Sequence, residues 1–164
     1  MYSYTFKHIG NPSEIDFSTN VIWVFHADKI PPHIGFSSEN RFYSLKVSGK
    51  DEQLNVQQVL ELIHRKKIPS LFIQLKTAIS LQEVEKAYQK YQRAVYGSIT
   101  CLTPIRELVQ QTNARQLSDL LNRIDHAIET TAGVYLPENY TALPVYSIDE
   151  IYSYISELSK SQMT

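Results

Sequence analysis

Cysteine occurs once in the 164 residues, at Cys101, which excludes an internal disulfide framework and any zinc site built from several thiolates. Glycine is also scarce, with five in the chain, and they form neither a Gly-x-Gly-x-x-Gly fingerprint nor a phosphate loop. No apolar run approaches the roughly 20 residues of a membrane span, so no stable membrane insertion is expected. Charge of either sign is in short supply too. A formal net charge of −1 gives no electrostatic reason to expect a nucleic acid partner. No two histidines stand at the spacing of a helical zinc motif, and neither a metal nor a cofactor is expected. The opening residues Met1-Tyr2-Ser3-Tyr4-Thr5-Phe6-Lys7-His8 lack the charged-then-apolar order of a secretion signal, and a cytoplasmic location is expected.

What is present describes one α+β domain. Hydrophobic residues make up 43% and charged residues 20%, enough to bury a core without covalent staples. An edge strand is expected within residues 2–7, and Asn20-Val21-Ile22-Trp23-Val24-Phe25-His26 reads as a buried strand from its β-branched and aromatic run. His33-Ile34-Gly35-Phe36-Ser37-Ser38 and Arg41-Phe42-Tyr43-Ser44-Leu45-Lys46-Val47 read as a hairpin turning at Glu39-Asn40. A two-residue turn sets Gly35 opposite Ser44 and His33 opposite Lys46, and leaves Ile34, Phe36, Tyr43 and Leu45 on the core face. Gly49-Lys50-Asp51 is read as the close of the hairpin.

Helical periods follow. Val56, Val59, Leu60 and Ile63 give a helix opened by Asn55, and Leu71-Phe72-Ile73-Gln74-Leu75-Lys76 gives a strand. Ser80-Leu81-Gln82-Glu83 is a capping box in front of a stripe of Leu81, Val84, Ala87, Tyr88 and Tyr91. Leu102, Ile105, Leu108 and Val109 mark a helix just after Cys101, with Thr103 as N-cap and Pro104 in the first turn. Leu117, Leu120, Leu121, Ile124 and Ile128 predict a longer helix stopped by Gly133. The tract from Tyr135 to Tyr146 is an extended loop long enough to cover a site, and Ser147-Ile148-Asp149-Glu150 opens a last helix. The basic cluster His64-Arg65-Lys66-Lys67 closes a helix, and Glu83 and Glu85 begin one, as the helix dipole favours.

Chemistry centres on Cys101. A thiol beside a helix start meets unpaired backbone N–H groups, which favour the thiolate, whereas an unpaired cysteine in a core merely packs. Nucleophilic use requires a base within hydrogen-bond reach. Of the five histidines, His33 is best placed, on a strand with a glycine two residues on. His26 is second, and His8, His64 and His126 read as surface residues.

The order His33-Ile34-Gly35-Phe36 on a strand, then Cys101 on a helix of the form Cys-x-x-x-Ile-x-x-Leu, resembles the circularly permuted papain-like superfamily, which includes relatives of NlpC-type peptidases and of lecithin:retinol acyltransferase. The resemblance covers about residues 20–110, leaving 113–164 as a C-terminal helical extension of the single domain. It implies a small antiparallel sheet packed by helices, with Cys101 as nucleophile and His33 as general base. Its third, orienting position falls in Tyr43-Ser44-Leu45-Lys46, where Ser44 is the candidate. The implied activity is that of a cysteine hydrolase or acyltransferase working through an acyl-cysteine, on a peptide, a peptidoglycan-derived peptide or a lipid acyl substrate. The alternative is an inactive member of that fold that binds a ligand, or a protein partner through the loop from Tyr135 to Tyr146.

Overall fold

A computed structural model describes residues 3–95, 97–146 and 149–150. Six antiparallel strands form one sheet: β1 (Val21–Phe25), β2 (His33–Ser38), β3 (Arg41–Lys46), β4 (Gly49–Asn55), β5 (Ser70–Leu75) and β6 (Ile128–Val134), in the order β4-β3-β2-β1-β5-β6. The four α-helices among the described residues are α1 (Val56–Lys66), α2 (Leu81–Gln89), α3 (Thr103–Leu108) and α4 (Leu117–Ile124). The fold is α+β. No helix among the described residues is long and apolar enough to cross a membrane.

Both faces of the sheet are covered, so the central strands bury their side chains on either side. One face carries Trp23, Phe25, Phe42 and Phe72 against Val56, Val59 and Ile63 of α1. The other carries Ile22, Val24, Ile34, Phe36, Tyr43 and Leu45 against Val84 and Tyr88 of α2, Ile105 of α3 and the leucines of α4. The hairpin has the expected register, with Gly35 opposite Ser44 and Phe36 opposite Tyr43. Its turn residues Glu39 and Asn40 both take positive φ, 51° and 63°, as the tightest right-twisted hairpin turns require. Asn20 locks the β1 entry: its Oδ1 accepts from Ile79 N–H at 2.7 Å and Thr77 Oγ1 at 2.8 Å, and its Nδ2 donates to Ile79 O at 2.8 Å.

Four expectations are corrected. The residues read as closing the hairpin begin a fourth strand, β4, whose polar sequence shows no apolar alternation because it lies at the sheet edge. The helix expected to run from Leu117 to Gly133 stops at Ile124, and Ile128–Val134 is strand β6. The β-branched run Thr130-Thr131 prefers the sheet there, and Gly133 sits within the strand, not at a helix cap. Residues 113–164 are therefore not wholly helical: β6 pairs along β5. The edge strand expected in residues 2–7 is reduced, among the described residues, to one bridge between Thr5 and Ala142. The helix expected from Ser147 onward lies almost wholly outside the described residues.

Candidate functional site

Cys101 is placed by a short loop. Val95 and Ile99 form a bridge around Gly97, whose φ of 80° suits glycine. Ala94 N–H donates to Lys46 O at 2.8 Å, which fastens this loop to the end of β3. The chain then turns through Thr100, whose N–H donates to Thr103 Oγ1 at 2.9 Å and whose Oγ1 accepts from Leu102 N–H at 3.2 Å. The N-cap of α3 lies one residue earlier than expected: it is Leu102, without a side-chain bond, and Pro104 lies in the first turn. Cys101 thus stands just outside a short helix.

The thiol lines a cavity of about 250 Å³. Its walls are mainly apolar, from Pro31 and Pro32 through Ile34, Leu45 and Val47 to Leu102 and Leu117, and Tyr146 of the long loop closes one side. Gln116, at the N-cap of α4, ties that loop down by donating its Nε2 to Tyr146 O at 2.8 Å. Ile30, Val95 and Val145, three of the large apolar side chains left exposed, each adjoin a lining residue in sequence.

The cavity brings Cys101 and His33 together as lining residues. The pleat then separates their side chains. Ile34 faces the cluster in which Cys101 packs, whereas the His33 ring lies 5.6 Å from that of Phe25, a member of the cluster on the opposite face. Ser44 is not among the lining residues. Its hydroxyl donates to Asp51 Oδ2 at 2.9 Å, and Lys46 Nζ stands 3.0 Å from the same oxygen.

The electrostatics follow from burial. Desolvation pushes the Cys101 thiol up to about 11, although the backbone N–H groups of Ile34 and of Cys101 itself face the sulfur and lower it in part. Desolvation, and then the charge of Lys46, push His33 down to about 4, with Asp51 opposing and His26 adding to the drop. At neutral pH the pair is a protonated thiol and a neutral imidazole. The His33 Nε2 is buried without a hydrogen-bond partner among the described residues.

Comparison with family models, curated proteins and solved structures finds no match to this chain.

Asp51, Gln116, Arg115 and Tyr146 escaped the sequence reading. Asp51 lies on β4, whose polar sequence carries no strand signal, and Gln116 and Arg115 precede a helix marked in the sequence by its apolar stripe alone. The loop from Tyr135 to Tyr146 carried a partial signal, because its length and tyrosines suggested a covering role, and Tyr146 does close the cavity. Among the described residues no three His, Cys, Asp or Glu side chains gather where a metal could be held.

Proposed function

We propose that the protein is a binding module that takes a small, largely apolar ligand into the cavity between the β2–β3 end of the sheet, the Cys101 loop and α4. The observation that carries this reading is the apolar lining of the cavity. Enclosed apolar walls with a few convergent polar groups are the usual form of a small-molecule site. The test is displacement of 1-anilinonaphthalene-8-sulfonate fluorescence by 1-octanol, in the wild type and in Ala94→Phe, which places a ring in the cavity wall. Binding by the wild type that is weakened at least tenfold in a folded Ala94→Phe variant supports the reading, and equal binding by both overturns it.

Cysteine hydrolase or acyltransferase chemistry, with the permuted papain-like relation it implies, is the second reading. What favours it is that Cys101 and His33 line one cavity in the chain order of that group. It requires His33 to turn toward the thiol and the thiol to lose its proton. A stoichiometric burst of nitrophenolate from p-nitrophenyl acetate, lost in Cys101→Ser, would favour it over simple binding.

A further inference from the structure

Tyr146 brings a hydroxyl to the apolar cavity. The residue is 3% exposed and lines the cavity with Cys101 and Leu117. Its main chain is fastened, because Gln116 donates its Nε2 to Tyr146 O at 2.8 Å. Its hydroxyl is differently placed. Among the described residues the Tyr146 O–H is donated to no carbonyl, carboxylate or hydroxyl, and unlike the Tyr88 hydroxyl, which is also close to Cys101, it is not sealed within the protein. Leu117 N–H faces its oxygen, and the Cys101 sulfur is near enough to act on it. Both neighbours line the cavity, so the hydroxyl stands at the cavity wall.

Burial, and then Cys101, push the Tyr146 phenol well above its ordinary value, with the Leu117 N–H opposing. The group is therefore a neutral donor at physiological pH. Leu117 opens α4, which has no side-chain cap, so its N–H is one of the donors a helix start leaves unused inside the helix. An N–H directed at the phenol oxygen polarises the O–H and makes it a better donor.

The other polar side chains of the walls are engaged or closed off. Thr100 Oγ1 accepts from Leu102 N–H, Lys46 is paired with Asp51, and Gln116 Oε1 and His33 Nε2 are sealed. An ionised group carried into these walls would meet no free opposite charge among them, and burying it unpaired is costly. Size adds a further limit. A dry apolar cavity of about 150 Å³ holds benzene, so about 250 Å³ suits a ring with a short chain.

We infer that the cavity takes an uncharged apolar molecule bearing one hydrogen-bond acceptor of the ketone or ester type, and that the Tyr146 hydroxyl donates to that acceptor. This rests on the binding reading above, and specifies its ligand and the residue that selects it.

The experiment is calorimetric titration of the whole chain, wild type and Tyr146→Phe, with butyrophenone, with 2-phenyl-1-pentene, in which a methylene group replaces the carbonyl oxygen, and with 4-ethylbenzoate. Tyr146→Phe keeps the ring that closes the cavity and removes only the hydroxyl. It is expected to weaken butyrophenone about tenfold, as one lost hydrogen bond implies, and to leave 2-phenyl-1-pentene unchanged. In the wild type 4-ethylbenzoate is expected to bind at least tenfold more weakly than butyrophenone. The infrared carbonyl band of bound butyrophenone, labelled with carbon-13 at that carbon, is expected below its position in hexane for the wild type and back near that position for Tyr146→Phe. Equal effects of the substitution on ketone and alkene, tighter binding of 4-ethylbenzoate, or a wild-type band at the hexane position overturns the inference and leaves the binding reading intact. Should Tyr146→Phe not fold, the wild-type band decides by itself. Failure of butyrophenone and 2-phenyl-1-pentene to bind, where 1-octanol still displaces the dye, also overturns the inference alone. Failure of 1-octanol as well overturns both.

Discussion

Cys101 and His33 each carry a proton balance that solution measurements can read. A thiol pushed up to about 11 carries about a hundredfold less thiolate at pH 7.5 than an unperturbed cysteine, so alkylation by iodoacetamide is expected about a hundredfold slower than for a free thiol. The rate should keep climbing with pH until near 11. A plateau below pH 8 would instead mark an activated nucleophile and speak for acyl transfer. His33 acts on stability in the acid range. Its folded value near 4 lies below the usual 6.5, so between those values the unfolded chain binds the extra proton and stability falls as pH falls. The contribution is complete above 6.5 and lost progressively down to about 4, by at most roughly 3 kcal/mol. Denaturant titrations from pH 7.5 to 4 should show this slope in the wild type and a shallower one in His33→Gln. Asp16 and Asp125, whose carboxyls are held below their ordinary value by Ser18 and Tyr4 hydrogen bonds, act only below that window. His26, lowered by desolvation and Lys29, falls in the same direction and remains in both proteins.

At the scale of elements, the hairpin of β2 and β3 shows how closely sequence can prescribe structure. Alternation of Ile34, Phe36, Tyr43 and Leu45 set the buried face, and the two-residue turn set the register. Gly35 is needed in that register because a Cβ there would collide with the Phe42 ring. Gly35→Ala is therefore expected to destabilise by about 1–3 kcal/mol, read as a lower denaturation midpoint with an unchanged slope. β4 and β6 were not legible in the same way. β4 is polar because its outer edge meets solvent, so the alternation that reveals a strand is missing. β6 follows α4 after a single 3-10 turn at Asp125–Ala127, and the helical spacing of Leu117 to Ile124 happened to continue through Ile128. For the candidate site, Cys101 and His33 were legible as lining residues. The side on which His33 lies was legible too, since alternation along β2 puts it on the face opposite Ile34 and Phe36. That the Cys101 loop packs against the Ile34 face was not, because it depends on long-range packing and not on the alternation along β2.

Over the whole molecule, the two ends of the sheet are guarded by different means. Along β6, Gly10 N–H donates to Thr131 O at 2.9 Å and Gly133 N–H donates to Gly10 O at 3.1 Å, so the N-terminal segment covers part of that edge. Among the described residues β4 has no strand beyond it. It relies on charge, through Lys50, Asp51 and Glu52, and on a bulge, since the pairing jumps from Phe42 opposite Leu54 to Ser44 opposite Asp51. Glu52 and Gln53 thus share one position opposite Tyr43, and Gln53 takes a φ of 51°. Bulges and charges are the ordinary means by which an open edge is kept from pairing with another copy. Deleting Gln53 in a Glu52→Val background would restore an unbroken register and remove one charge. That variant is expected to retain the far-ultraviolet circular dichroism of the parent and to self-associate as concentration rises, seen as an earlier and concentration-dependent elution in size-exclusion chromatography. An elution profile identical to the parent's across a hundredfold range of concentration would mean that the bulge serves local geometry alone, and that protection of this edge rests on Lys50 and Asp51.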